Sequence, residues 1–197
     1  VARRGGVLVG LVCLGGSSGA ILPVGDDPAA LAALAAGVPG RLSVVPPRFQ
    51  VVGPREAVAA VVARLRAAGQ TPRLELPQTY MVVERGGLPP FERLAELRPA
   101  RPGDYDLVHR PGAELRAEEL EEDPRRADPE TYSRRVEEEC QRGYTYLWLA
   151  DGALRFRASL SALTADAVQI SGVFVPPGLR NRGHARRGLA ELCTRFF

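Results

Sequence analysis

The sequence contains no lysine, one asparagine, one methionine, one tryptophan and two histidines, and its three cysteines are an odd number. Each shortage removes a class of chemistry. Without lysine there is no Walker A loop, which needs that side chain to reach the terminal phosphates. His109 and His184 sit at no metal-ligand spacing with a cysteine, so no metal is expected. Cys13, Cys140 and Cys193 form no CxxC pair and read as small buried hydrophobes of a reducing compartment. Aromatic residues make up 6%, and the arginines do not cluster with them into a stacking platform for nucleic acid. No apolar run reaches the length of a membrane span.

What is present is ordinary for a soluble globular chain of one large or two small domains: 197 residues, 45% hydrophobic and 25% charged. All 26 basic residues are arginine, which reads as codon bias of a GC-rich genome. A net charge of +3 is too small to argue for nucleic acid by itself. The start of the chain imitates a secretion signal, with Arg3-Arg4, the apolar run Val7–Leu14 and Ser17-Ser18-Gly19-Ala20. Gly10 interrupts that run, and Ala20–Val24 continues as a strand. A cytoplasmic location is therefore expected.

Residues 7–14 and 19–24 predict two strands around a Gly/Ser turn. Asp27 with Pro28 opens a helix whose apolar side carries Leu31, Leu34 and Ala35, and Gly37 ends it. Phe49–Val52 predicts a strand, and Pro54–Ala68 a helix with Val58, Val61, Val62 and Leu65 on one face. Further strands are expected at Arg73–Leu76 and Thr79–Glu84. Gly86-Gly87-Leu88-Pro89-Pro90 is the linker candidate, which sets the expected domains at 1–88 and 91–197.

In the second domain Leu94–Ala100 predicts a strand, and Asp104–Glu122 one or two short helices of weak periodicity. Asp128-Pro129 begins the best-marked helix, with Tyr132, Val136 and Cys140 four apart and Gly143 as its stop. Tyr144–Ala150 and Leu154–Leu160 flank Asp151-Gly152, a strong hairpin signal.

The most informative stretch follows. The strand 168–175 runs into Pro176-Pro177-Gly178-Leu179, then Arg180-Asn181-Arg182-Gly183-His184-Ala185, where a helix opens. A strand–loop–helix turn of this kind presents free backbone N–H groups and the positive end of a helix dipole, suited to a phosphate. Gly183 permits close approach of an anion, and Arg180 and Arg182 add charge-assisted hydrogen bonds.

Here Arg180-x-x-Gly183-x-Ala185, after Gly172-Val173-Phe174-Val175-Pro176-Pro177, resembles the acyl-CoA signature of the GNAT N-acetyltransferases, (Q/R)-x-x-G-x-(G/A). Leu97-Arg98-Pro99-Ala100 with Asp104 resembles the opening of a GNAT domain. Tyr132-x-x-Arg135-Val136, Phe156-x-Ala158 and Gly172-Val173 extend the match. The resemblance implies a mixed α+β fold with a central, mostly antiparallel sheet flanked by helices. A smaller α/β unit of GNAT-like order, expected to be non-catalytic, precedes it. Family members continue beyond the final helix with further strands, so the chain ending at Phe197 looks like the first half of the domain. The Leu189, Leu192, Cys193, Phe196 stripe of that helix is expected to lack a covering element.

The resemblance further implies an acetyl group passed from acetyl-CoA to a primary amine of a small molecule, protein N-terminus or lysine. Positioning the two reactants side by side supplies much of the rate. A backbone N–H near Val173 or Phe174 would bond the thioester oxygen. Val173 and Val175 would bond the pantetheine through their main chains. Amides from Arg180 through Asn181, Arg182, Gly183, His184 and Ala185 to Arg186 would take the pyrophosphate. Glu118 and Glu119 are the candidates for removing the amine proton. Against this, the run Glu118–Asp123 reads more readily as a solvated acidic face. His184 occupies a variable position of the motif and reads as a surface residue near the phosphate. A non-catalytic acetyl-CoA sensor and an arginine-rich nucleic-acid binder are the competing classes.

Overall fold

The computed structural model describes residues 1–16 and 19–197, so the Ser17-Ser18 part of the expected Gly/Ser turn lies outside the described residues. The chain is a mixed α+β protein of two compact units, Val1–Pro77 and Gln78–Phe197. Each carries one four-stranded sheet with helices against it.

In the first unit β1 (Ala2–Arg4), β2 (Val7–Gly15), β3 (Ala20–Val24) and β4 (Gln50–Val51) lie side by side in that order. The first two pairs are antiparallel, while β3 and β4 are parallel. A parallel pair needs a crossover, and α1 (Pro28–Ala36) supplies it. Its start is written in the sequence: Asp27 Oδ1 accepts from the Ala29 and Ala30 amides at 3.0 and 3.1 Å. α2 (Arg55–Ala67) buries Ala57, Val61 and Leu65, spaced by four, so its inward face is turned toward Ala57. Val58 and Val62 flank that line and are half-buried. Ile21, Ala35, Val38, Val45, Val61 and Leu65 form the core of this unit.

Two expectations fail along this stretch. Arg73–Leu76 and Thr79–Glu84 join no sheet, and Tyr80, Met81 and Val82 are 77%, 84% and 80% exposed. β-branched content alone does not make a strand, because strand propensity expresses packing against neighbours that this segment lacks. Cys13 is exposed on β2, Cys193 is half-buried, and only Cys140 is fully interior.

The second unit holds β5 (Arg98–Pro99), β6 (Thr145–Ala150), β7 (Ala153–Leu163) and β8 (Val168–Phe174), antiparallel throughout and in that order. Asp151 and Gly152, at φ 53° and 72°, make the two-residue turn between β6 and β7. Both central residues at positive φ match the twist of the flanking strands. On one face lie α3 (Tyr105–Leu120), α4 (Pro124–Ala127) and α5 (Pro129–Arg142), around Ala100, Val108, Val136, Cys140 and Leu147. α5 is capped by Asp128 and closed by Gly143 at φ 64°.

α3 is one helix of 16 residues rather than two short ones, continuing through Pro111. An internal proline costs a helix about 3 kcal/mol. Tertiary contact helps to hold it: the Tyr132 hydroxyl donates to the His109 carbonyl at 2.6 Å, and the Tyr132 and Tyr105 rings both pack near the His109 ring.

The other face carries α6 (His184–Thr194) over Leu94, Leu97, Trp148, Phe156, Ala158 and Val175. The stripe of α6 is thus covered by its own sheet: Leu192 is fully buried, and Leu189 and Phe196 pack on the same cluster. Gly188 is what allows α6 so close, because a Cβ there would lie 2.6 Å from the Phe156 ring. No helix among the described residues is long and apolar enough to cross a membrane.

Candidate functional site

β8 is an edge strand, and its pairing with β7 is irregular where the site begins. Arg157 pairs with Phe174 and Ser159 with Ser171, so one residue of β7 faces two, Gly172 and Val173, that have no registered partner. Gly172 sits at φ 57°, where the bulge demands a residue free of Cβ strain. Beyond it, alternation turns Val173 and Val175 toward the core beneath α6. Phe174 points to the opposite face, where Arg157 is also found.

The loop from Arg180 to Gly183 then turns the chain into α6. Asn181 and Gly183 both adopt positive φ, 61° and 79°, on either side of Arg182, so the chain turns sharply before the helix starts. The N–H groups of residues 181 to 186 donate to no protein atom among the described residues; Arg187 is the first to bond, to the Gly183 carbonyl at 3.0 Å. No side chain caps the helix. These free donors, with the positive helix end, form an electropositive concavity.

A cavity of about 390 Å³ opens there, lined by Val173, Val175, Leu179, Arg180, Asn181, Gly183, His184, Ala185 and Arg186. The structure thus brings together eight of the ten residues expected at a cofactor. Phe174 and Arg182 do not line the cavity: strand alternation turns the first away, and the second lies exposed on the outside of the turn. Leu179 completes the wall without having been singled out. Its signal was an apolar residue directly before the arginine loop.

A Cβ built on Gly183 meets nothing within 4 Å, so the space over its backbone is open to an occupant. His184 is half-buried rather than a surface residue, its ring edge-on to Trp148 at 5.1 Å. Arg187 covers the same indole at 5.3 Å. The two hold the first turn of α6 on β6.

Arg180 is not free to point into the cavity. Its Nε donates to the Val175 carbonyl at 3.0 Å, and one terminal nitrogen donates to both oxygens of Glu118 at 2.9 and 3.0 Å. The Val175 carbonyl, one of the main-chain groups expected to hold pantetheine, is therefore occupied, which leaves Val175 its N–H for that purpose. Glu118, on the last turn of α3, is 46% exposed and engaged by this pair, and Glu119 beside it is exposed. Of the two expected bases, only Glu118 is brought to the loop.

Behind the bulge the sheet carries a buried polar cluster. Arg157 is 5% exposed, donates to Ser159 Oγ at 2.9 Å, and lies 3.7 Å from Glu139. Burial pushes its guanidinium below the ordinary arginine range, with the Glu139 charge acting against that. Tyr132 beside it is pushed up to about 12, again by burial. No group of three or more His, Cys, Asp or Glu among the described residues is arranged to hold a metal ion.

No family model, curated protein or solved structure matches this chain.

Proposed function

We propose that the protein is an acyltransferase that takes an acetyl group from acetyl-CoA and places it on a primary amine. The observation that carries the reading is the run of free N–H groups from Asn181 to Arg186 over an open Gly183, beside an edge strand with a bulge at Gly172–Val173. A diphosphate needs several converging donors and no Cβ in its way, and this loop offers both. Asn181, Gly183, His184, Ala185 and Arg186 would hold the pyrophosphate, and the free edge of β8 at Val173 and Val175 the pantetheine arm. The cavity volume, about 390 Å³, suits part of such a carrier rather than all of it.

Acetyl-CoA, when bound, supplies a thioester carbonyl open to attack by an amine. The chain's contribution is to bind and orient it, with the Val173 N–H directed to the carbonyl oxygen. Three unpaired thiols favour the cytoplasm as its compartment. Small amines, protein N-termini and lysines are the acceptor classes; nucleic acid is not needed.

A second reading is an acetyl-CoA sensor without turnover, favoured by the pairing of Glu118 with Arg180, which engages the one of the two candidate carboxylates that is brought to the loop. One pair of measurements decides. Calorimetry with acetyl-CoA should show binding that weakens at least tenfold in Gly183→Val and in Gly183→Asn. Asparagine tolerates the positive φ, so its loss of affinity reports the filled space rather than backbone strain. Equal affinity in all three proteins refutes the placement. Release of CoA thiol with a panel of amines then separates enzyme from sensor.

A further inference from the structure

Arg157 is the most deeply buried cation of the second unit, and its charge is not balanced. Glu139 is the only carboxylate acting on it among the described residues. That carboxylate is shared: Arg135 Nε donates to it at 3.1 Å and Thr145 Oγ1 at 2.9 Å, while Arg157 stays at 3.7 Å, beyond a hydrogen bond. Two guanidiniums on one carboxylate leave a net positive charge on the cluster. Arg157 Nε is a buried donor with no partner, and its second terminal nitrogen makes no hydrogen bond to the protein. An interior cation with unmet N–H groups is costly unless an anion completes it.

At Gly172 the packing beside Arg157 leaves a gap of methyl size through which an anion's edge can approach. Gly172 opens a notch in β8: a methyl-sized group over its backbone would lie 3.7 Å from that free Arg157 nitrogen, 3.7 Å from Ser159 Oγ and 3.9 Å from Leu115. Gly112 of α3 also gives way to the guanidinium, with its Cβ position 3.2 Å from the same nitrogen. The notch thus has one free polar donor, the Arg157 guanidinium, and an apolar wall, at the bulge, on the sheet face away from α6.

The acceptor of a direct transfer must reach the acyl carbon from the side that the donor leaves open. With Val173 and Val175 turned to the cavity under α6, that side is the one Gly172 and Arg157 share. We propose that this notch is the acceptor's anion subsite, so that the amine acetylated by this protein is a small molecule carrying a carboxylate, of the amino-acid type. The inference rests on the acyltransfer reading and adds the substrate class to it. Arg157 forms charge-assisted hydrogen bonds to the carboxylate, Ser159, whose hydroxyl is committed to Thr145 and Glu139, holds the guanidinium in place, and Leu115 packs on the carbon skeleton.

The test uses the whole chain and matched acceptors: α-amino acids, their amides, and the corresponding simple amines, with CoA-thiol release as readout. The carboxylates should show a kcat/KM at least tenfold above the amides, the size expected from one charged hydrogen-bonded pair. The double variant Arg157→Gln with Glu139→Gln removes the buried charges together, which protects the fold. It should erase the preference through KM for the carboxylate acceptors, with a much smaller change for the amides and simple amines, which serve as the internal reference. Arg157→Lys, which keeps charge but loses the planar fork, should retain only part of it. Equal turnover of acids and amides in the wild type, or equal losses for both in the double variant, overturns the subsite and spares the acyltransfer reading. Acetyl-CoA binding with no release from any amine overturns both.

Discussion

Arg180 grips Glu118 through one terminal nitrogen, 62 residues away in sequence, while its Nε is tied to the Val175 carbonyl. The guanidinium also lies 5.8 Å from the Phe174 ring centroid, so it joins the end of α3 to the end of β8 at the rim of the cavity. A carboxylate so near the proposed diphosphate site would oppose the anion and compete for the same cation. Partly exposed pairs of this kind are worth about 0–1 kcal/mol, so the competition is easily won. Glu118→Gln should therefore tighten acetyl-CoA binding about two- to fivefold, and Arg180→Ala should weaken it, both read by calorimetry. If the same Glu118→Gln protein lost about 10²-fold or more in kcat with its affinity retained, Glu118 would be the base rather than a competitor.

Gly188 and Phe156 set the distance between α6 and the sheet. A Cβ at Gly188 would fall 2.6 to 2.8 Å from three ring atoms of a phenylalanine that is itself fully buried. The ring has no exposed end to swing away, so Gly188→Ala should destabilise the second unit by about 1–3 kcal/mol. Trp148, the only tryptophan, sits in the same core and reports on this unit alone. Urea unfolding followed by its fluorescence should show a lower midpoint. Phe156→Leu in the Gly188→Ala background should recover part of the loss, since it returns the missing space. An unchanged midpoint in Gly188→Ala would mean that α6 rides further from β7.

Much of this architecture is legible in the sequence because its signals are local. Asp27-Pro28, Asp128-Pro129, Gly143 and Asp151-Gly152 each specify a cap or turn with the residues that build it, and the structure places them so. The loop Arg180–Gly183 belongs to the same class, since strand, proline stop, glycine and helix are contiguous. What escapes such a reading depends on partners far along the chain. Arg157 is the unnamed residue of Phe156-x-Ala158, and its burial comes from α3 and α5, which cover that side of the sheet. Asp104–Glu122 reads as one or two short helices, yet α3 runs on through Pro111, with Tyr132 of α5 bonded to its His109 carbonyl. Tyr80–Val82 reads as a strand, yet no neighbour is there to pair it. The Arg180–Glu118 pair has no local trace at all.

Glu191 gives the second unit a pH dependence whose sign follows from its surroundings. Its carboxylate is 2% exposed on α6, accepting from Arg93 Nε at 2.8 Å, from an Arg93 terminal nitrogen at 3.0 Å and from the Leu94 amide at 3.0 Å. The Arg93 hydrogen bonds, helped by that amide and by Arg195, hold it down at about 2, against an ordinary value of 4.5. A carboxyl whose folded value lies below its unfolded one stabilises the fold above the unfolded value and loses that contribution as pH falls toward the folded one. Stability read from Trp148 fluorescence should therefore hold steady above a pH of about 4.5 and decline between about 4.5 and 2. Asp104, held below the usual carboxylate range by Arg98, contributes in the same direction. Glu191→Gln should cost about 1–3 kcal/mol at neutral pH, because the Arg93 donors lose their charged acceptor at a buried site. It should also flatten the acid decline without abolishing it, the remaining slope belonging to Asp104 and to Asp123, which Arg125 holds at about 2. A variant with the wild-type slope would show that Glu191 titrates alike in the folded and unfolded chain, and that its contacts with Arg93 do not survive in solution.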